Sequence, residues 1–205
     1  MRTAPPAVGL ALTVALLSGC AQEEPSPVNE SSASQAPTAQ PTPEPSVTAS
    51  IFLPPGESTG ALTYDETAVP EGATSDVQVR VQDGSTYVQF TGTGLEANRD
   101  FGAHVHTQPC GDDPADSGPH YQNELDPAAE EGEPSTDPAY ANPENEVWLD
   151  MTTDDSGNAF VTATVDWEFR EGEARALVLH DEHTATHEGH AGTAGDRLAC
   201  VTVDF

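Results

Sequence analysis

The histidines of this chain are spaced so that several of them could bind one metal ion. His104 and His106 end a strand-like stretch, His120 follows in a polar segment, and His180 ends the apolar run 176–179. Side chains two residues apart in an extended strand lie on the same face, so His104 and His106 can bind one ion from a rigid backbone. Neutral imidazole is a ligand that suits copper and zinc. The pattern therefore indicates a metal site built from nitrogen ligands.

Two cysteines and an arginine accompany these histidines. Cys110 follows His106, Cys200 lies near the C-terminus, and Arg197 precedes Cys200 in the segment Gly195-Asp196-Arg197-Leu198-Ala199-Cys200. In this order, and with these neighbours, the elements closely resemble the bacterial copper/zinc superoxide dismutase family. The resemblance covers the C-terminal two thirds of the chain. An H-x-H pair is common in proteins, whereas the full ordered set is specific.

The resemblance implies a copper enzyme that converts superoxide to dioxygen and hydrogen peroxide. It implies four copper ligands: His104, His106, His120 and His180. It also implies a disulfide between Cys110 and Cys200, and a role for Arg197 in guiding the superoxide anion to copper. His120 takes the position of the family's bridging histidine, so we expect it to release copper and carry a proton on reduction.

The residues alone leave alternatives for two of these positions. Arg197 could form an ordinary ion pair with Asp196 or another nearby carboxylate. Cys110 could be a metal thiolate instead of a disulfide partner. In an exported chain, however, a disulfide is chemically allowed.

The zinc site of the family is missing from the sequence. Zinc-binding members supply two further histidines and an aspartate in the loop after the bridging histidine, but residues 121–150 contain no histidine. Residues 142–147 lie roughly where the last zinc ligands are expected, and Asn and Glu cannot reproduce a nitrogen-rich tetrahedral site there. We therefore expect copper and no zinc. The second ring nitrogen of His120 then needs another partner, for which the candidates are Glu124, Asp126, Glu146 and Asp150.

The N-terminus is typical of an export signal. Arg2 is its only charge, the apolar run 8–17 is too short to span a bilayer, and Leu17-Ser18-Gly19-Cys20 follows. This tetrapeptide resembles a bacterial lipoprotein box. We therefore expect residues 1–19 to be a signal peptide and Cys20 to be acylated, which would anchor the chain to the cell membrane. A plain secretory signal with an unmodified Cys20 is the alternative.

The remainder of the chain divides into a linker and one domain. Residues 20–50 are rich in Pro, Ser, Thr, Ala, Gln and Glu, a composition that cannot bury enough apolar surface to fold. Residues 51–205 are long enough for a single core and a single domain. The 35 acidic residues face six arginines and no lysine, a balance that argues against nucleic acid and anionic lipid headgroups as partners.

Short strand-like runs separated by turn residues fill the domain. Val77, Val79 and Val81 alternate with polar residues, and Asp83-Gly84 supplies a tight turn before a second run, which predicts a hairpin. Further runs are predicted at 147–153, 159–165, 176–180 and 198–203. The pattern indicates an all-β antiparallel sandwich or barrel, and the resemblance implies a Greek-key β-sandwich. Residues 107–146 and 181–196 are predicted to be two long functional loops.

The loop 181–196 carries the three remaining histidines, His183, His187 and His190. They could capture copper on its way in, bind a second metal, or be solvated loop residues.

Two functions follow from these observations. The leading hypothesis is an extracytoplasmic, lipid-anchored superoxide dismutase. The alternative is a copper-binding or copper-storage lipoprotein on the same scaffold without dismutase activity, motivated by the missing zinc ligands and the additional histidines. A purely structural or adhesive sandwich is disfavoured because it gives no reason for the ordered set of metal-site residues.

Overall fold

A computed structural model describes residues 44–58, 60–130 and 133–205 of the chain. The predicted signal peptide, Cys20 and most of the predicted linker lie outside the described residues. Among the described residues, no helix is long and apolar enough to cross a membrane.

The described residues form a β-sandwich. In chain order its strands are β1 (Ser46–Ile51), β2 (Ala61–Thr63), β3 (Thr74–Gln82), β4 (Ser85–Thr93), β5 (Asp100–His106), β6 (Met151–Thr152), β7 (Ala159–Val165), β8 (Ala176–His180) and β9 (Arg197–Thr202), with one 3-10 turn at Pro114–Ser117. They make two antiparallel sheets, ordered β1-β3-β4-β7 and β2-β9-β8-β5-β6. Strand β7 returns to pair with β4 after β5 and β6 have joined the second sheet, which is a Greek-key connection. The predicted all-β antiparallel sandwich is confirmed.

The hairpin of β3 and β4 forms where the sequence predicts it. Gln82 pairs with Ser85 across the turn, and both turn residues have positive φ, 54° at Asp83 and 84° at Gly84. These are the left-handed conformations that a two-residue hairpin turn requires and that Asp-Gly adopts readily.

Strand β1 begins inside the segment predicted to be a linker. It pairs with β3 from Ser46↔Val79 to Ile51↔Thr74, although only Ile51 lies within the predicted domain. The difference has a physical cause: β1 is an edge strand with exposed or half-buried side chains, so backbone pairing holds it. Its composition therefore carries little hydrophobic signal.

The strand predicted over residues 147–153 is also shorter than expected, because only Met151–Thr152 forms β6. The preceding residues run beside β5 through a bridge between Trp148 and His104 and a hydrogen bond from Leu149 N to Ala103 O. This run brings the end of the long segment 107–150, called the first loop below, against the second sheet.

The core lies between the two sheets and is built from fully buried aliphatic and aromatic side chains, among them Phe52, Phe90, Phe101, Leu177 and Leu179. Outside this core, a disulfide joins Cys110 to Cys200, as the resemblance implies. It fixes the start of the first loop to β9. The segment 181–196, called the second loop below, connects β8 to β9 without a strand or helix of its own.

Candidate metal centre

The second sheet places three histidines on one face by register. His104 and His106 alternate with inward-facing residues of β5, so both point away from the core, and each is completely buried. Across the ladder, Gly102 of β5 pairs with His180 of β8, which puts the His180 ring on the same face. His120 in the first loop forms a bridge with His106 and joins them from above the sheet.

The four rings meet in one cluster. One ring nitrogen from each of His104, His106, His120 and His180 lies within 4.8 Å of the others. The centroids of the His104 and His120 rings are 4.0 Å apart, and those of the His120 and His180 rings are 5.8 Å apart. The four residues singled out in the sequence are therefore neighbours in space.

Burial keeps three of the four rings neutral, those of His104, His106 and His180. Removal from water lowers the pKa of His104 and His106 well below the usual value, and the charges of neighbouring rings lower it further. Burial likewise lowers the pKa of His180 to about 3. Neutral imidazole is the form that binds a metal, so protons do not compete for these three ligands at neutral pH.

Unpaired ring nitrogens show that the cluster fits a metal ion. The Nδ1 atom of His104 is buried and has no hydrogen-bond partner among the described residues. The Nε2 atoms of His106 and His180 face one another at 3.3 Å, while Nδ1 of His106 donates to the Gly118 carbonyl at 2.8 Å. Buried polar atoms normally have a partner, and a cation bound by nitrogen would supply one here.

Glu146 is the carboxylate that binds His120, among the four candidates that the sequence left open. Its Oε2 atom lies 2.9 Å from His120 Nδ1. The same oxygen accepts from Trp148 Nε1, and Oε1 accepts from Gln122 Nε2, both at 2.8 Å. The carboxylate is almost fully buried, so these three contacts hold it in one orientation. His120 is therefore oriented with Nε2 toward the other rings.

A model of the copper/zinc superoxide dismutase (SODC) family matches residues 73–203 of the chain. The chain belongs to this family. Among solved structures, the Cu/Zn superoxide dismutase from Brucella abortus is 16% identical, with 78% of this chain and 100% of that chain covered and a TM-score of 0.47. A double mutant of a SOD-like protein from Bacillus subtilis is 15% identical, with 62% of this chain and 87% of that chain covered and a TM-score of 0.45. No curated protein matches the chain in sequence.

Arg197 lies beside the cluster of this superoxide dismutase-like domain. It pairs with His180 in the ladder between β8 and β9. Its Nη1 atom donates to the Pro114 carbonyl and to Ser117 Oγ, both at 2.9 Å, so the 3-10 turn of the first loop holds the guanidinium. The contacts of this nitrogen are thus to neutral oxygens, not to the carboxylate of Asp196. After burial and the neighbouring rings, the charge of Arg197 is a further cause of the lowered pKa of His104 and His106.

Thr184 contacts the cluster from the second loop, although no pattern in the sequence predicts it. Its Oγ1 atom lies 2.7 Å from His104 Nε2, and its own hydrogen bonds run to Asp150. Asp150 was a candidate partner for His120, but it accepts hydrogen bonds from Thr184, which in turn contacts His104. Threonine is common in loops, and no spacing in the sequence distinguishes this one.

The three histidines of the second loop stay outside the cluster. His183 donates from Nε2 to the Met151 carbonyl at 3.1 Å, and the rings of His187 and His190 lie 4.9 Å apart in an exposed turn. In the part of the chain that the structure describes, the only group of three or more side chains arranged to hold a metal ion is the four-histidine cluster.

Proposed function

We propose that this chain is an extracytoplasmic superoxide dismutase that holds copper through His104, His106, His120 and His180. The observation that carries the proposal is the convergence of one nitrogen from each ring within 4.8 Å, in a buried site where His104 Nδ1 has no other partner in the described chain. Four imidazoles are a ligand set that suits a redox-active copper ion. Bound copper would supply the alternation between two oxidation states that passes one electron from one superoxide ion to another.

The residues around the site have separate tasks in this proposal. Arg197 attracts the superoxide anion, and its guanidinium is already held in place by Pro114 and Ser117. His106 keeps its Nδ1 hydrogen on the Gly118 carbonyl, which leaves Nε2 available to the metal. His120 keeps its Nδ1 hydrogen on Glu146, so its Nε2 atom can bind the metal or hold a proton.

Glu146 supports a copper site that needs no zinc. In zinc-binding members of the family a second metal would orient the bridging histidine, and in this chain Glu146 gives Nδ1 of His120 a hydrogen-bond partner at 2.9 Å. Two further side chains hold this carboxylate. The buried Glu146 carboxylate thus orients the His120 ring without a second metal. We propose that copper alone is the cofactor.

The proposed location is outside the cytoplasm. The Cys110–Cys200 disulfide is typical of an oxidising compartment. We propose further that Cys20 is acylated and anchors the chain to the cell membrane. Mass spectrometry of the protein from a membrane fraction tests this step, because a diacylglyceryl adduct at Cys20 must disappear in Cys20→Ser.

The decisive experiment compares the copper-loaded protein with two histidine variants. We expect one copper and no zinc per chain after dialysis against both metals, with rapid superoxide consumption. His104→Ala should lose tight copper binding and turnover, whereas His190→Ala, which changes an exposed histidine, should keep both. Copper bound equally well by His104→Ala would contradict the proposed ligand set, and zinc retained at one per chain would contradict a copper-only site.

Copper stoichiometry also separates dismutase activity from storage. The adjacent rings of His187 and His190 are the feature that favours storage, because two neighbouring imidazoles offer ligands beyond the cluster. More than one tightly held copper per chain together with negligible superoxide turnover would support the storage function in place of the dismutase.

A further inference from the structure

His104 is attached to the second loop by a hydrogen-bonded chain that the proposed mechanism leaves unused. Its Nε2 atom lies 2.7 Å from Thr184 Oγ1. Thr184 in turn is bound at two points by Asp150, through Oγ1 to Oδ1 at 2.6 Å and through the backbone N to Oδ2 at 2.7 Å. His104 is completely buried, and Thr184 is 9% exposed.

The directions of these hydrogen bonds follow from the number of hydrogens available. A carboxylate only accepts, so the single hydroxyl hydrogen of Thr184 points to Asp150. The hydroxyl can then offer only a lone pair to His104, and Nε2 of His104 must carry the hydrogen between them. A neutral imidazole has one ring hydrogen, so Nδ1 is left with a lone pair. That atom is the one without a partner in the described chain.

We propose that Thr184 and Asp150 are positioning residues that fix the tautomer and ring orientation of His104, so that its Nδ1 lone pair faces the copper site. This inference rests on the proposed function for its purpose, but the tautomer itself is a property of the metal-free protein. The pair does for His104, through a hydroxyl, what Glu146 does directly for His120.

The backbone around Thr184 is arranged to bring the second loop close to β5. Gly102 faces this loop, and a β-carbon at that position would meet Glu182 O at 2.5 Å, Ala194 Cβ at 2.7 Å and Thr184 Oγ1 at 3.5 Å. An ion pair between Arg99 and Asp181 holds the beginning of the same loop. The close approach of Thr184 to His104 is therefore supported from both sides of the contact.

Paired substitutions at Thr184 test the hydroxyl. Nitrogen-15 NMR of the metal-free protein should show the His104 hydrogen on Nε2 and protected from exchange in the wild type and in Thr184→Ser. Thr184→Val has nearly the same shape but no hydroxyl, so this hydrogen should exchange faster. Copper affinity should fall by about 10- to 100-fold in Thr184→Val, as for other residues that orient metal ligands, and recover in Thr184→Ser.

A substitution at Asp150 gives a sharper result. The side chain of Asn has one acceptor oxygen, and in Asp150→Asn this oxygen must face the backbone N–H of Thr184, because a backbone N–H can only donate. The amide NH2 group then faces the Thr184 hydroxyl. The hydroxyl then donates to His104 Nε2, and the ring hydrogen should move to Nδ1, where it opposes copper. The control is Asp155→Asn in the exposed turn before β7, which should leave the His104 signals unchanged.

The outcomes distinguish this inference from the proposed function. A hydrogen on Nδ1 of His104 in the wild type would overturn it. So would a Thr184→Val variant that matches the wild type in both exchange and copper affinity. If Asp150→Asn does not fold, the comparison of Thr184→Val with Thr184→Ser tests the inference by itself. Expected tautomers in a copper-loaded protein without superoxide turnover would support the positioning role while rejecting the dismutase.

Discussion

The two sheets of the sandwich differ in how they meet solvent. In the sheet β1-β3-β4-β7, most of the residues of β3 and β4 alternate between buried and partly exposed. In the second sheet, all five residues of β8 and all but the first of β5 are buried. The first sheet is covered on one face only, where it packs against the core. The second sheet is covered on both faces and has the histidine cluster on its outer face. Covering by the loops is thus what removes the imidazoles from water.

Removing the disulfide should disturb the covering of the second sheet more than any other substitution discussed below, because the bond ties the first loop to β9. Replacing both cysteines, in Cys110→Ser with Cys200→Ser, frees a closed segment with a sequence separation of 90 residues. The chain-entropy model gives a loss of about 4 to 5 kcal/mol in the free energy of unfolding for such a loop. Urea unfolding measures it, with Cys20→Ser as the control. An unchanged midpoint would show that the loop stays in place without its covalent link.

Acid should destabilise the metal-free protein, because a histidine buried on the covered face of the second sheet binds a proton more weakly than it does in the unfolded chain. The pKa of His180 is about 3 in the folded chain, mainly because of burial, and the usual value is 6.5. A lowered histidine pKa means that the unfolded chain binds the proton first, so the stabilisation is complete above pH 6.5 and is lost as pH falls toward 3. Each pH unit in that window costs about 1.4 kcal/mol for His180.

The measurement is urea unfolding between pH 7 and pH 4.5. His180→Asn removes one such group and should flatten the dependence by about the slope of one proton. Acidic residues do not produce the same signal, because a group such as Asp65, whose pKa is lowered below 3.8 by hydrogen bonds from Ala68 and Thr67, loses its contribution only at lower pH. Equal stability at the two ends of the window would contradict the burial of the rings.

The contrast between the sheets also explains how far the sequence could predict the fold. The hairpin was predicted correctly from the alternation of Val77, Val79 and Val81 and from the Asp83-Gly84 turn. A strand with one exposed face has alternating apolar and polar residues, so its sequence shows a period of two. The run 176–180 matched β8 because a buried strand is continuously apolar. Strand β1 and residues 147–150 were mispredicted, since backbone pairing and contact with the first loop, rather than side-chain pattern, decide their structure.

For the candidate site, the sequence identified the residues that approach one another but not what holds them. The H-x-H spacing and the order of the family elements were enough to name the four histidines that the structure brings together. The choice of Glu146 over Glu124, Asp126 and Asp150 depends on how the first loop folds over the sheet. Thr184 had no signal, because its contact with His104 joins residues 80 positions apart.

A pair of truncations gives the smallest effect and the most direct comparison of the two outer faces. Val178 lies opposite His104 in the ladder, on the covered face, and is completely buried, whereas Phe160 on the other sheet is 67% exposed. Val178→Ala removes only two methyl groups but should cost about 2 kcal/mol in the free energy of unfolding, through lost burial and a cavity. Phe160→Ala removes a whole ring but should change it by no more than about 0.5 kcal/mol.

Midpoints of urea unfolding at constant slope measure both variants. The inverted order, in which the smaller truncation costs more, follows only if the loops cover Val178 and its neighbours Ala176 and Cys200 as tightly as the core covers the inner face. A Val178→Ala variant as stable as the wild type would mean that the loops rest loosely on the sheet in solution. The histidine cluster beneath them would then be open to water, and the low histidine pKa values would be lost with the covering.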